Sequence, residues 1–276
     1  MLSIVATPIG NLEDISPRAL RALREAVAIG AEDTRHTRKL LAHFDVHTPL
    51  FSFHRHNEQA RTDEIVARLR NGEAIAIVSD AGMPLVSDAG SVLVARLQAE
   101  GLAYTCIPGP TAVETALVLS GLPAAQYQFL GFVPRTQAER SALWQTLKSV
   151  SLTSILFESP QRLGAFLDEA APQLGDRTMV VARELTKIHE EVRKGTATEL
   201  AAHYRASGVK GECVVLVAPA PPQPQTLEGD PAAMVATVQR VGGVPHAAAA
   251  KIVAALTGRP KREVYRASTE PPVEEA

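Results

Sequence analysis

Along the first 120 residues, short apolar runs alternate with stretches whose apolar positions recur every three or four residues. The runs fall at residues 2–7, 27–31, 50–53, 74–79 and 103–107, and the helical patterns at 16–26, 34–43, 58–70, 88–100 and 111–120. Apolar runs between helices suit a mainly parallel sheet covered on both faces, because each strand is then buried on both sides. Gly121-Leu122-Pro123 interrupts the series. A second set follows, with strands predicted near 128–132, 154–157, 178–183, 190–195 and 212–218 and helices near 137–149, 160–173 and 197–207. The pattern predicts an α/β fold of two α/β domains, 1–122 and 123–218. Residues 219–231 carry five prolines and read as an extended linker. Residues 232–268 show helical patterns broken at Gly242-Gly243 and Gly258, which predicts a small helical extension, and the last residues read as frayed.

Composition supports α/β over a β-sandwich. Hydrophobic residues make up 46% of the chain and aromatic residues 4%, so Leu, Val, Ile and Ala must fill the cores. No apolar run reaches the roughly 18 to 20 residues of a membrane helix. The apolar start at 2–6 stops at Pro8 without a basic flank, so it is expected to be a buried strand and not a signal peptide. Cys106 and Cys213 lie in apolar runs and are expected as buried thiols, which fits a reducing, cytoplasmic setting.

The net charge of -2 hides an uneven distribution. Between Thr34 and Asn57 stand Arg35, Arg38, Lys39 and Arg55, one acid (Asp45) and five of the eight histidines. Lys251, Arg259, Lys261, Arg262 and Arg266 form a second basic stretch against Glu263 alone. Two local basic patches on a near-neutral chain can hold a polyanion through its phosphates.

The tetrapeptide Ser-Asp-Ala-Gly occurs twice, at Ser79 and at Ser87, directly after an apolar strand. In open α/β sheets ligands bind beyond the carboxyl ends of strands, where glycines allow close backbone approach. Asp80 is expected at the strand tip, and Asp88 suits the N-cap of the next helix. Loops of similar character follow the first strand (Thr7-Pro8-Ile9-Gly10-Asn11) and the fifth (Pro108-Gly109-Pro110-Thr111-Ala112). On parallel strands of one sheet, the three should converge at one edge. None matches a dinucleotide fingerprint, a phosphate-cradling loop with Gly-Lys-Ser/Thr, or a nucleophile elbow, which counts against hydride transfer, NTP hydrolysis and serine hydrolysis. Glu32-Asp33-Thr34-Arg35 and His54-Arg55-His56-Asn57-Glu58 place acids beside cations at strand ends, a setting that tunes a general base or orients a substrate. His54 and His56 lack a third ligand at zinc-site spacing, and no metal is expected.

Thr7-Pro8-Ile9-Gly10-Asn11-Leu12-Glu13-Asp14, Glu32-Asp33-Thr34-Arg35, Asn57-Glu58 and Ser79-Asp80-Ala81-Gly82 occur in order. Pro108-Gly109-Pro110, Gly131-Phe132, Glu158-Ser159-Pro160, Arg183-Glu184-Leu185-Thr186-Lys187 and Gly211-Glu212 follow. Together they resemble the small-subunit ribosomal RNA 2'-O-methyltransferases, a branch of the tetrapyrrole methylase-like superfamily, from about residue 2 to residue 218. The resemblance implies an S-adenosylmethionine-binding cleft between the two α/β domains, a homodimer, and methylation of the 2'-oxygen of a decoding-region cytidine in 16S rRNA within the small subunit. It places the methyl donor against Pro8, Asp80, Gly82, Met83, Thr111 and Ala112 from the first domain. Phe157, Glu158, Leu185, Glu212 and Cys213 face it from the second. RNA is expected toward Arg35, Arg38, His54, Arg55, His56, Asn57 and Lys187, and the basic helical extension supplies a second RNA contact.

A ribose hydroxyl is a weak acid, so a carboxylate or imidazole within hydrogen-bond reach would help by taking its proton as the O–C bond forms; Glu32, Asp33 and Glu58 are the catalytic candidates. Phe51, Phe53, Tyr127 and Phe132 are the rings available for stacking a base. The chain departs from the family pattern, which usually has Thr where Met83 stands, Pro where Ala89 stands, Asp where Arg55 stands, and Lys shortly after Pro134. Two other readings are a methyltransferase acting on a tetrapyrrole, which would need a wide apolar trough, and a ribosome-assembly factor that has lost the donor site.

Overall fold

The computed structural model describes residues 1–221 and 227–269. Met1–Ala220 forms one compact unit and Pro221–Ala276 another. The first unit holds two five-stranded sheets.

The first sheet contains β1 (Leu2–Val5), β2 (Ala28–Ala31), β3 (Leu50–Ser52), β4 (Ile75–Val78) and β5 (Tyr104–Ile107) in the order β3-β2-β4-β1-β5. All its pairings are parallel. β2 and β4 are buried at every position, as the central strands of a sheet covered on both faces must be. The connecting helices are α1 (Pro17–Glu25), α2 (Thr34–His43), α3 (Glu58–Arg70), α4 (Ser91–Glu100) and α5 (Ala112–Ser120). One face packs Leu23, Leu40 and Leu41 against Ile29 and Val78. The other packs Ile65, Leu93 and Leu97 against Ile4 and Ile77.

Local chemistry starts several of these helices. Ser16 accepts a hydrogen bond from Ala19 N–H at 3.0 Å ahead of Pro17, and Thr111 accepts from Glu114 N–H at 3.2 Å. α4 departs from the prediction. It begins at Ser91, and its cap position is Gly90, not Asp88. Residues Ser79 to Gly90 instead make a long excursion in which Leu85 and Ser87 adopt left-handed backbone, with φ 73° and 71°. Cys106 is also corrected: it is exposed, because β5 lies at the sheet edge.

The second sheet contains β6 (Tyr127–Phe132), β7 (Thr153–Glu158), β8 (Met179–Arg183), β9 (Glu191–Gly195) and β10 (Cys213–Val217) in the order β6-β7-β10-β8-β9. Only β6 and β7 pair in parallel; the other three pairings are antiparallel. α6 (Gln137–Ser149), α7 (Pro160–Leu174) and α8 (Ala197–Ser207) cover one face around Trp144, Phe166 and Leu167. The opposite face receives α5, whose Val113, Ala116 and Leu117 pack with Val180, Val214 and Leu216. This contact holds the two sheets in register about a cleft.

The second unit is a three-helix cluster of α9 (Pro231–Gly242), α10 (His246–Thr257) and α11 (Lys261–Ala267). Its small core consists of Val235, Ala249, Ala250, Val253 and Val264. Of the predicted linker, residues 222–226 lie outside the described residues, as do 270–276 of the predicted frayed end. Among the described residues no helix is long and apolar enough to cross a membrane.

Candidate active site

The three glycine-bearing loops converge, as their placement on neighbouring strands β4, β1 and β5 requires. Thr7 and Gly82 exchange backbone hydrogen bonds of 2.9 and 3.0 Å in an antiparallel bridge. Gly82 has φ +77°, and a methyl group there would stand 3.3 Å from Ile9 Cγ2 and 3.6 Å from the Pro110 carbonyl. Against these loops lies the second sheet, and between them is a cavity of about 700 Å³. Asp80, Gly82, Met83, Thr111 and Ala112 line it from the first half, and Phe157, Glu158, Leu185 and Glu212 from the second.

Pro8 and Cys213, expected on this wall, are not on it. Side chains alternate along a strand, so with Glu212 and Val214 facing the cavity, Cys213 points into the core on the other side. Its burial pushes the thiol up to about 12, which keeps it protonated. In the first loop Ile9, not Pro8, reaches the cavity.

Three carboxylates, Glu32, Asp80 and Asp88, line one part of this largely apolar cavity. Burial, followed by the charges of Glu32 and Asp80 against the opposing pull of Arg55, pushes the Asp88 carboxyl up to about 6. Glu32 is raised above its ordinary value, chiefly by burial and then by Asp80. Asp80 also accepts the Asp33 N–H at 3.0 Å, which ties the ends of β4 and β2 together. Asp88, expected at a helix cap, instead faces the cavity, because residues 79–90 follow a path with left-handed backbone at Leu85 and Ser87.

Left-handed non-glycine residues flank both walls: Leu85 and Ser87 on one side, Glu184 and Thr186 (φ 50° and 63°) on the other. Such backbone is costly, above all for β-branched Thr186, and persists only where surrounding contacts impose it. Here the Thr186 hydroxyl accepts the Asn11 N–H at 3.0 Å, and the Thr186 N–H donates to Glu190 at 2.7 Å. This clasp joins the loop after β1 to the loop after β8 and sets Leu185 in the cavity wall.

A family model described as Tetrapyrrole (Corrin/Porphyrin) Methylases matches residues 1–201. A ribosomal RNA small subunit methyltransferase I of Xylella fastidiosa is 42% identical over 272 residues, covering 96% of this chain and 97% of the relative. The chain belongs to the ribosomal RNA small subunit methyltransferase I family. A member from Halalkalibacterium halodurans is 47% identical over 216 residues, covering 78% of this chain and 75% of the relative. Among solved structures, uroporphyrin-III-C-methyltransferase of Thermus thermophilus aligns with a TM-score of 0.57 at 21% identity, over 79% of this chain and 93% of its own. Diphthine synthase aligns with a TM-score of 0.62 at 16% identity, over 96% and 98%. At these identities the structures are similar in fold alone.

In this member of the ribosomal RNA small subunit methyltransferase I family, two of the three catalytic candidates are already engaged. Asp33 caps α2 and holds Arg35 through paired hydrogen bonds, including a 2.7 Å ion pair. The Arg35 hydrogen bonds hold its carboxyl well below the usual carboxylate range. Glu58 is buried, and its Oε1 accepts the N–H groups of Gly90 and Val92 at 2.8 and 2.9 Å. It thus caps the start of α4, the service predicted for Asp88. Glu58→Ala would leave two backbone donors unpaired and should lower unfolding stability by about 2 to 4 kcal/mol, read as a shift in urea midpoint. Only Glu32 of the three lines the cavity.

The expected RNA contacts divide similarly. Arg35, Arg38, Arg55 and His56 are exposed and His54 is half-buried. Asn57 is a scaffold residue: it accepts the His54 N–H at 2.8 Å and donates to Ser52 at 3.1 Å, shaping the turn before α3. Lys187 is held by Glu184 at 2.9 Å and Glu212 at 3.4 Å, with its stem against Gly10, so its charge is neutralised within the clasp. Met83 places its sulfur 3.6 Å from the Cys106 thiol at the cavity wall.

Proposed function

We propose that this chain transfers a methyl group from S-adenosylmethionine to the 2'-oxygen of a decoding-region cytidine in 16S rRNA, acting in the cytoplasm on the small ribosomal subunit. The observation that carries this reading is the coincidence of near full-length likeness to ribosomal RNA small subunit methyltransferase I with a cleft whose residues suit the donor. The donor carries cationic sulfonium and ammonium groups and an adenine; the cavity offers Asp80 and Asp88 for the cations and the apolar wall of Phe157 and Leu185 for the ring. When bound, it supplies an electrophilic methyl whose leaving group is a neutral thioether, so the protein's task is alignment of the oxygen.

Glu32 accepts the 2'-hydroxyl proton as the O–C bond forms. Its raised pKa makes it a stronger base than an exposed carboxylate, and it lies in the cavity where Asp33 and Glu58 do not. Asp80 positions it by holding the adjoining backbone at Asp33. Arg35, Arg38, Arg55 and His56 bind the flanking phosphates. The exposed cations of the second unit, Lys251, Arg259, Lys261 and Arg262, add a second RNA grip. The family resemblance supports a homodimer.

Donor binding should depend on pH. Between pH about 4 and 6 the folded chain retains an Asp88 proton that the unfolded chain has released, so the contribution of this group to stability falls as pH rises through that window. A cation in the cavity favours the ionised form. S-adenosylmethionine should therefore bind more tightly from pH 5 to 7 and release a proton on binding at the lower end. Asp88→Asn should flatten the slope, read by calorimetry in buffers of different ionisation enthalpy.

The reading itself is tested by tritium transfer from labelled S-adenosylmethionine to small subunits that lack the modification, with nuclease mapping. Label on a ribose 2'-oxygen of the decoding region supports it. No transfer despite donor binding would refute it and favour a tetrapyrrole acceptor.

A further inference from the structure

Phe132 is the only phenylalanine among the described residues with more than half its surface exposed, at 58%, yet it lines the cavity. Its placement is built by an irregularity in β6. Phe129 pairs with Ile155, but Phe132 pairs with Phe157, so three steps on β6 match two on β7. In a regular strand Phe129 and Phe132, an odd number of residues apart, would face opposite sides. The bulge, with Gly131 at φ +72°, turns Phe132 to the face that Phe129 already occupies. Nothing but Ser87 Oγ, at 3.7 Å, would meet a side chain at Gly131, so the glycine serves conformation and not space.

The ring is propped. Phe132 packs edge-on to Phe157 with centroids 5.4 Å apart, and Phe157 packs edge-on to Phe129 at 4.8 Å. Three of the seven phenylalanines in an aromatic-poor chain thus stand together at this rim. Across it, Ser87 links the aromatic edge to a cation: the Arg55 guanidinium donates to the Ser87 carbonyl, and the same residue faces Gly131. An exposed aromatic ring beside an anchored arginine at the mouth of a cleft matches the two halves of a nucleotide, a planar base and a phosphate.

We infer that Phe132 is the platform on which the base of the methylated nucleotide stacks, while Arg55 holds an adjoining phosphate. This rests on the RNA reading above. The other rings named for stacking are otherwise employed: Phe53 is buried, Phe51 lies beneath Arg61 at 5.7 Å, and the Tyr127 hydroxyl donates to Glu114 at 2.8 Å. Stacking on Phe132 draws the base out of its neighbours and fixes the ribose, so the platform acts by positioning and not by bond making.

The test compares Phe132→Leu, Phe132→Tyr and Phe132→Trp in the full chain, with unmodified small subunits as acceptor and donor affinity measured separately by calorimetry. Phe132→Leu should lose roughly 10- to 100-fold in kcat/KM for the subunit, as deletion of one base–aromatic stack predicts. Tyr and Trp should restore most of it, and donor Kd should stay within about twofold in all three. Arg55→Ala should reduce the salt slope of RNA binding by about one. Full transfer by Phe132→Leu would overturn the platform alone. A matching rise in donor Kd would assign the ring to the donor's adenine and overturn it as well. No transfer by the wild-type chain would overturn the RNA reading and the platform with it.

Discussion

Glu32→Gln should retain the fold and donor binding within a fewfold and lose roughly 100- to 10,000-fold in turnover, the range for removal of a general base. The substitution keeps shape and removes the charge that burial and Asp80 make basic. Glu58→Gln is the control that separates the two roles. Its carboxylate bonds two backbone N–H groups at the start of α4, so the loss should register in stability and leave turnover per folded molecule near wild type. Single-turnover transfer at saturating donor reads the first effect, and denaturant midpoints read the second. Full turnover by Glu32→Gln would remove this residue from the proton path and direct attention to Asp88, which burial and its carboxylate neighbours also raise in pKa.

Gly10→Ala should have the second largest effect, and by a steric route. A methyl group at Gly10 would stand 2.7 Å from the Leu185 carbonyl oxygen, 2.7 Å from the Thr186 hydroxyl and 2.6 Å from Lys187 Cγ. The lysine stem can swing aside. The Leu185 carbonyl can retreat only if the loop after β8 moves, and Leu185 is part of the cavity wall. Overpacking of this kind costs about 1 to 3 kcal/mol, and misplacing a binding wall by an ångström can cost about 100-fold in rate. Donor affinity should fall at least tenfold, with a lower melting temperature. Thr186→Ser, which keeps the hydroxyl accepting from Asn11, should stay close to wild type, whereas Thr186→Val should follow Gly10→Ala in the same direction. An alanine variant with unchanged donor Kd would show that the two loops are not coupled through this contact.

Much of the architecture was legible in the chain. Helices Thr34–His43, Glu58–Arg70, Gln137–Ser149 and Ala197–Ser207 fall where their apolar periods predict. Three of them begin at side-chain caps, Asp33, Thr136 and Thr196. The convergence of the loops at Thr7, Ser79 and Pro108 followed from parallel strands alone. Nine of the eleven expected donor contacts lie on one cavity, because a family's motif places backbone as well as side chains.

Three residues owe their surroundings to distant parts of the chain. Asp88 has the composition and position of a helix cap, but the cap service comes from Glu58, 32 residues before the Gly90 N–H that it accepts. Lys187 is expected toward RNA from the family motif alone, and the structure pairs it with Glu184 and Glu212. Phe132 would face away from the cavity in a regular strand and enters it only through the bulge at Gly131. Periodicity, capping and strand-to-loop chemistry act within a few residues, so the sequence by itself determined the elements, the parallel character of the first sheet and the family. Which carboxylate faces the cavity and which caps a helix depends on distant groups brought within hydrogen-bond reach. So do the ring that stands exposed and the glycine that lets two halves touch. Burial and mutual charge then separate the carboxylates in pKa, and only the tertiary structure decides those.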